Sequence, residues 1–159
     1  MMESLAQLVH GADLLTALNL SHCALADETL GAFVKNIESS NLQELDLSWN
    51  KLTTKTCADL RSVLEKSPKL KTLFLQHNAV GGYSFTRLAS GIRAHKSLIY
   101  LDVSHNKLGN SGFTELFDPV SKNKTKIEHL ECRGNDLGGR LLDNVLSCVS
   151  RSLKILDLS

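Results

Sequence analysis

At 159 residues and 42% hydrophobic, the chain is long enough for one domain with a continuous apolar core. Eighteen basic against seventeen acidic residues leave a net charge of +1, without the long basic run that marks a nucleic-acid binder. No apolar stretch approaches the roughly 18 residues that span a bilayer, and no basic region with an apolar core opens the chain, so neither a membrane span nor a secretory leader is expected.

In chain order, the first expected element is a helix, because Met2, Leu5, Ala6 and Val9 follow helical spacing. A short strand follows through Leu15, Leu18 and Leu20, closed by Cys23 and Leu25. The next helix carries Leu30, Phe33, Val34 and Ile37 at i, i+3, i+4 and i+7, the stripe of an amphipathic helix. The phrase Leu-x-x-Leu-x-Leu-x-x-Asn-x-Leu is then complete in Leu42, Leu45, Leu47, Asn50 and Leu52. Its helix keeps Cys57, Leu60 and Leu64, but Arg61 takes a place in the stripe and is expected to lean out to solvent.

A third copy, Leu70, Leu73, Leu75, Asn78 and Val80, precedes the helix of Phe85, Leu88, Ala89 and Ile92. The fourth, Leu98, Leu101, Val103, Asn106 and Leu108, precedes Phe113, Leu116, Phe117 and Val120. A fifth, Ile127, Leu130, Cys132, Asn135 and Leu137, precedes Leu142, Val145, Leu146 and Val149. Leu153, Leu156 and Leu158 begin a sixth as the sequence ends.

The copies start at 15, 42, 70, 98, 127 and 153, a period in the leucine-rich-repeat range. Each helical stripe opens 15 residues after the first apolar residue of its own copy, so variation in length falls in the return loops, where it disturbs a stacked core least. No unit can bury its apolar face alone, and stacking supplies the neighbour. The expected fold is therefore α/β: a leucine-rich-repeat solenoid curved as a horseshoe arc, with a parallel sheet on the concave face and helices on the convex face. Residues 1–159 are expected to form a single such domain of about six strand–helix units. The first helix lacks its strand and the last strand lacks its helix, which reads as a segment of a longer array.

With helical connections and this period, the chain resembles the ribonuclease-inhibitor-like subtype of leucine-rich-repeat proteins. The resemblance implies an intracellular scaffold of one of several purposes: enzyme inhibition, small-GTPase activation, innate-immunity sensing or actin regulation. Glycine, usual just before the helical stripe in that subtype, appears here only as Gly112; Thr29, Thr56, Ser84 and Leu141 hold the other positions. The regular alternation of two repeat lengths is absent, which argues against a ribonuclease inhibitor proper.

Asn50, Asn78, Asn106 and Asn135 fall where the backbone leaves each strand, so their amides are expected to form a structural ladder that bonds main-chain groups of adjacent turns. Cys23 holds that place in the first copy. Cys23, Cys57 and Cys132 are expected in the core and Cys148 beside a helical stripe; with no Cys-x-x-Cys spacing, reduced thiols and a cytoplasmic location are expected. Asn19 and Asn123 stand in glycosylation-like triplets, which mean little without a leader. The most basic stretch, Ser121 to Lys126, reads as a solvated return loop.

Side chains that face out of the sheet should form columns, since equivalent residues of adjacent strands lie about 5 Å apart. One column holds Asn19, Asp46, Phe74, Asp102, Glu131 and Asp157. Two residues earlier stand Ala17, Glu44, Thr72, Tyr100, His129 and Ile155, and two later stand Ser21, Ser48, Gln76, Ser104 and Arg133. The next position holds His22, Trp49, His77, His105 and Gly134. The candidate partner-binding surface is Glu44, Asp46, Trp49, Phe74, His77, Tyr100, Asp102, His105, His129 and Glu131. Aromatic residues flanked by carboxylates have the composition of a protein-binding hot spot, and the acidic set Glu44, Asp46, Asp102, Glu131 and Asp157 would favour a basic partner.

His22, His77 and His105 lie in a row rather than converging on a point about 2 Å from each, so no metal site is expected; imidazoles this close should repel one another when protonated. Ser104 and His105 are chain neighbours pointing different ways, not a nucleophile with its base. Gly81-Gly82 and Gly138-Gly139 lack the Lys and Ser/Thr of a phosphate loop. The expectation is a non-enzymatic protein-interaction module with no cofactor, nucleic acid, membrane or small-molecule substrate. The resemblance leaves open a fragment of a small-GTPase activator, and a segment of a sensor with no separate function also remains open.

Overall fold

The computed structural model describes residues 14–36, 41–117, 125–139 and 152–159. The helices expected over Met2–Val9 and Leu142–Val149, and Ile37, Val120, Asn123, Leu141 and Cys148, lie outside them. Six parallel strands follow one another in a single sheet: β1 Ala17–Asn19, β2 Glu44–Asp46, β3 Thr72–Phe74, β4 Tyr100–Asp102, β5 His129–Glu131 and β6 Ile155–Asp157. Their register places Leu18, Leu45, Leu73, Leu101, Leu130 and Leu156 in one row across the sheet.

Between the strands run α1 Asp27–Asn36, α2 Cys57–Lys66, α3 Phe85–Ala94 and α4 Gly109–Leu116. A 3-10 turn over Thr54–Thr56 leads into α2, and Asp27 and Glu28 place negative charge at the positive end of α1. The central leucines of β2 to β5 and the ring of one phenylalanine on each of α1, α3 and α4 (Phe33, Phe85, Phe113) share one buried core. Complete burial of such side chains stabilises by about 1.5–3 kcal/mol each. The architecture is an α/β leucine-rich-repeat solenoid.

On α2, Arg61 is exposed and pairs with Glu65 at 2.9 Å. Val63, which the helical stripe had not included, is buried as well.

Each asparagine at a strand exit ties two turns together. Asn106 Nδ2 donates to the carbonyls of Leu75, Val103 and Ser104 at 2.9, 3.0 and 3.1 Å, and its Oδ1 accepts from the Val80 N–H at 2.9 Å. Asn50, Asn78 and Asn135 repeat the pattern toward Leu25, Leu52 and Leu108. Cys23, expected in the core, is instead exposed. Among the described residues its turn has a neighbour on one side only, and the thiol donates to the Ser21 carbonyl at 3.3 Å. Cys57 and Cys132 are buried; burial pushes the Cys57 thiol up to about 11 and raises that of Cys132 as well, so both stay protonated and inert.

His95 closes the return from α3 into β4. Its Nε2–H faces the Ser67 carbonyl at 3.1 Å, and its Nδ1 accepts from the Ser97 and Leu98 N–H groups at 3.3 and 3.0 Å. A second proton on Nδ1 would orphan both donors, and burial lowers the pKa below the ordinary 6.5. The unfolded chain then takes up the proton first as pH falls, so this stabilisation is complete above the ordinary imidazole value and declines below it. Urea denaturation should show lower stability at about pH 5.5 than at about pH 7.5, with a shallower decline in His95→Gln.

Candidate functional site on the concave face

The column that begins at Asn19 carries two jobs at once. Asp46 Oδ1 accepts from the N–H and hydroxyl of Ser48 at 2.9 and 2.6 Å, Asp102 Oδ1 accepts from Ser104 N–H at 2.8 Å, and Asn19 serves Ser21 in the same way. These are Asx turns, in which a side chain two residues earlier takes the place of a main-chain carbonyl. The turn tucks the serine under the strand exit. Ser48 and Ser104, expected to face solvent, are buried as a result, at 2% and 5% exposure.

The residue after that serine position swings into the left-handed region. His22, Trp49, His77 and His105 have φ of 55, 53, 55 and 53°, a conformation that is uncommon outside glycine and costs on the order of 1–3 kcal/mol. Their rings stack in sequence order: His22 on Trp49 at 5.2 Å, Trp49 on His77 at 3.5 Å and His77 on His105 at 4.3 Å, with interplanar angles of 13, 18 and 15°. Gly134 ends the stack. Its φ is 58°, and a Cβ there would lie 2.5 Å from His105 Nδ1, so the His105 ring lies over a position that has no side chain.

A second aromatic row runs beside the first. Phe74 and Tyr100 meet at 5.3 Å and 52°, Tyr100 and His129 at 6.1 Å and 45°, the tilted arrangements favoured by ring quadrupoles. Trp49, at 48% exposure, offers the largest apolar surface of the two rows. Glu131 and Asp157 share Arg133, at 2.9 and 3.1 Å. The hydrogen bond to Glu131 and the Asp157 charge raise the Arg133 pKa, while the Ser159 N–H and side chain, with Arg133, hold Asp157 below the usual carboxylate value.

Desolvation and the His105 ring beside it lower the His77 pKa, with Asp102 opposing, so His77 is neutral at neutral pH. Desolvation and the Asp102 and Glu131 charges raise the Tyr100 phenol. Thus Trp49, His77 and His105 come together in one stack and Phe74, Tyr100 and His129 in a tilted row, with Asp46, Asp102 and Glu131 closing β2, β4 and β5 and Glu44 exposed at the start of β2. Among the described residues no three His, Cys, Asp or Glu side chains converge as metal ligands, and no helix is long and apolar enough to cross a membrane. The candidate surface left out His22, although its column was recognised, and Gln76, and the structural part played by the aspartates was not foreseen. The recurrence of Asn/Asp-x-Ser at positions 19, 46, 102 and 157 was the available signal.

The repeats are leucine-rich repeats: a family model described as Leucine Rich repeat matches residues 14–34, 38–55 and 94–117. Such domains generally mediate protein–protein interaction and are typically not enzymes. Among curated proteins, the chain is similar to the NACHT, LRR and PYD domains-containing protein 3 of Bos taurus, 31% identical over 165 residues that cover 98% of this chain. The chain spans 16% of that relative's length. Among solved structures, the tropomodulin C-terminal domain of Caenorhabditis elegans superposes with a TM-score of 0.65 at 14% identity, over 82% of this chain and 80% of that one. An internalin of Listeria monocytogenes superposes with a TM-score of 0.51 at 16% identity, over 99% of this chain and 44% of that one. At these identities the structural likeness concerns the fold.

Proposed function

We propose that the chain is a protein-interaction module that binds a partner protein through the concave sheet face. The observation that carries this reading is the ring stack His22–Trp49–His77–His105, whose members are held in a costly backbone conformation with Trp49 half exposed. Stacking fixes the rotamers before any partner arrives, so little side-chain entropy is lost on association. Phe74, Tyr100 and His129 extend the same surface, and the carboxylates around them favour a basic partner.

We place the repeats in the ribonuclease-inhibitor-like subtype on their helical connections and period, as one domain over residues 1–159 acting as a scaffold in the cytoplasm, where buried reduced thiols are at home. The small-GTPase-activator reading gains no support from the geometry or from the comparisons.

The test uses the chain as bait in lysate beside two folded variants. Changing Trp49, Phe74 and Tyr100 together to Ala should lose a partner that the wild type recovers. Changing Arg61 and Arg87 to Ala, on the exposed helical face, should keep it. The reverse pattern would move the working surface to the helices.

A further inference from the structure

The stack borders a recess of about 200 Å³ lined by Gln76, His77, Tyr100, Asp102, His105 and Glu131, among others. Along the acidic column, donors are unevenly supplied. Asp46 Oδ2 accepts from Asn19 Nδ2 at 3.2 Å, and Glu131 and Asp157 share the Arg133 guanidinium. Asp102 uses one oxygen for Ser104. The register sets it between Phe74 and Glu131, neither of which has a donor to give, and its Oδ2 has no donor among the described residues.

Gln76 supplies a second, independent observation. Its Oε1 is buried without a hydrogen-bond donor among the described residues. A buried acceptor left unmet costs about 1–3 kcal/mol, and the buried Gln76 Oε1 in the same recess as a carboxylate oxygen without a protein donor defines a place for a ligand rich in donors. The remaining walls come from the Tyr100, His77 and His105 rings, of which the tyrosine face attracts cations.

We propose that this recess receives an arginine side chain of the partner protein, which inserts between the aromatic rows and donates to Asp102 Oδ2 and Gln76 Oε1. This deepens the concave-face reading and rests on it. Arginine fits better than lysine because its planar fork offers five donors in fixed directions and stacks on rings, whereas an ammonium is a compact, strongly hydrated point charge. Arg133 also lines the recess, and its positive charge opposes the guest. Its removal frees Glu131 and Asp157 to attract the guest.

The probe is the peptide acetyl-Gly-Ser-Arg-Ser-amide, with lysine and glutamate versions, titrated into the isotope-labelled chain by NMR. The arginine peptide should give saturable shifts in the Gln76 side-chain amide and the His77 and His105 ring signals. The lysine peptide should bind more weakly and the glutamate peptide not at all. Asp102→Asn keeps an oxygen for Ser104 and loses the charge, so it should weaken binding by about tenfold or more, whereas Arg133→Ala should strengthen it. Shifts confined to other residues, or equal affinity in Asp102→Asn, would overturn the assignment. If the peptide fails while the Trp49/Phe74/Tyr100 variant still loses its partner, the concave-face reading stands and the arginine recess falls. A triple variant that keeps the partner removes the reading on which the recess depends.

Discussion

Asn106→Ala is expected to lower the unfolding free energy by about 3 kcal/mol, measured by urea denaturation at neutral pH. The magnitude follows from what the side chain leaves behind. Leu75 O still accepts from Asn78, Val103 O from Asn135 and Ser104 O from the His77 N–H, so each carbonyl keeps one donor. The Val80 N–H has Asn106 Oδ1 as its acceptor and becomes a buried orphan, which costs about 1–3 kcal/mol. Loss of three further bonds at about 0.5–1.5 kcal/mol each adds to this, and partial relaxation subtracts from it. Asn50→Ala should cost less, since Asn50 is only partly buried and water can replace some of its bonds. A loss below about 1 kcal/mol for Asn106→Ala would mean that the turns hold together without the ladder.

Gly81→Ala is expected to be still more damaging, by more than about 3 kcal/mol, or to prevent folding altogether. A Cβ on Gly81 would lie 2.0 Å from the Lys107 carbonyl oxygen and 2.3 Å from its carbon. That obstacle is backbone, and it is tied in place: Gly81 pairs with Lys107 as a parallel bridge, Gly82 N–H donates to Lys107 O at 3.1 Å and Lys107 N–H to Val80 O at 3.1 Å. Relief therefore requires two repeats to separate, which strips contacts from Val80 and Leu108, both fully buried. Gly138→Ala is the control. A Cβ there meets nothing within 4 Å, and the change should stay within about 0.5 kcal/mol. Equal tolerance of the two substitutions in thermal melts would contradict the close approach at Gly81.

The strand row and the helical core faces were legible because each rests on a period: the return of the leucine phrase every 26 to 29 residues and the i, i+3, i+4 spacing between copies. Val63 escaped because the i, i+3, i+4, i+7 stripe leaves out the position six residues after its start, which is buried here and again at Gly91 of α3. Burial of Ser48 and Ser104 escaped for a different reason. Strict alternation along a strand ends where Asp46 and Asp102 bend the chain into Asx turns. The left-handed backbone at His22, Trp49, His77 and His105 follows the exits of β1 to β4, that of β3 without an Asx turn because Phe74 has no acceptor, and the ring stack follows only when strand spacing brings these four exits into line. Column membership was readable, whereas ring orientation and the buried, unpartnered oxygen of Gln76 belong to three dimensions.

The proposed working surface is the pair of concave aromatic rows. Its most direct test is the dissociation constant of the recovered partner for the wild type, the Trp49/Phe74/Tyr100 alanine variant and the Arg61/Arg87 alanine variant, each first shown to unfold at the same urea midpoint. Loss of three clustered aromatic contacts should weaken binding by about 100-fold or more, with the helical-face variant within about twofold of wild type. A partner that binds the concave variant as tightly as wild type, and loses affinity with the helical-face variant, would place the working surface on the helices instead.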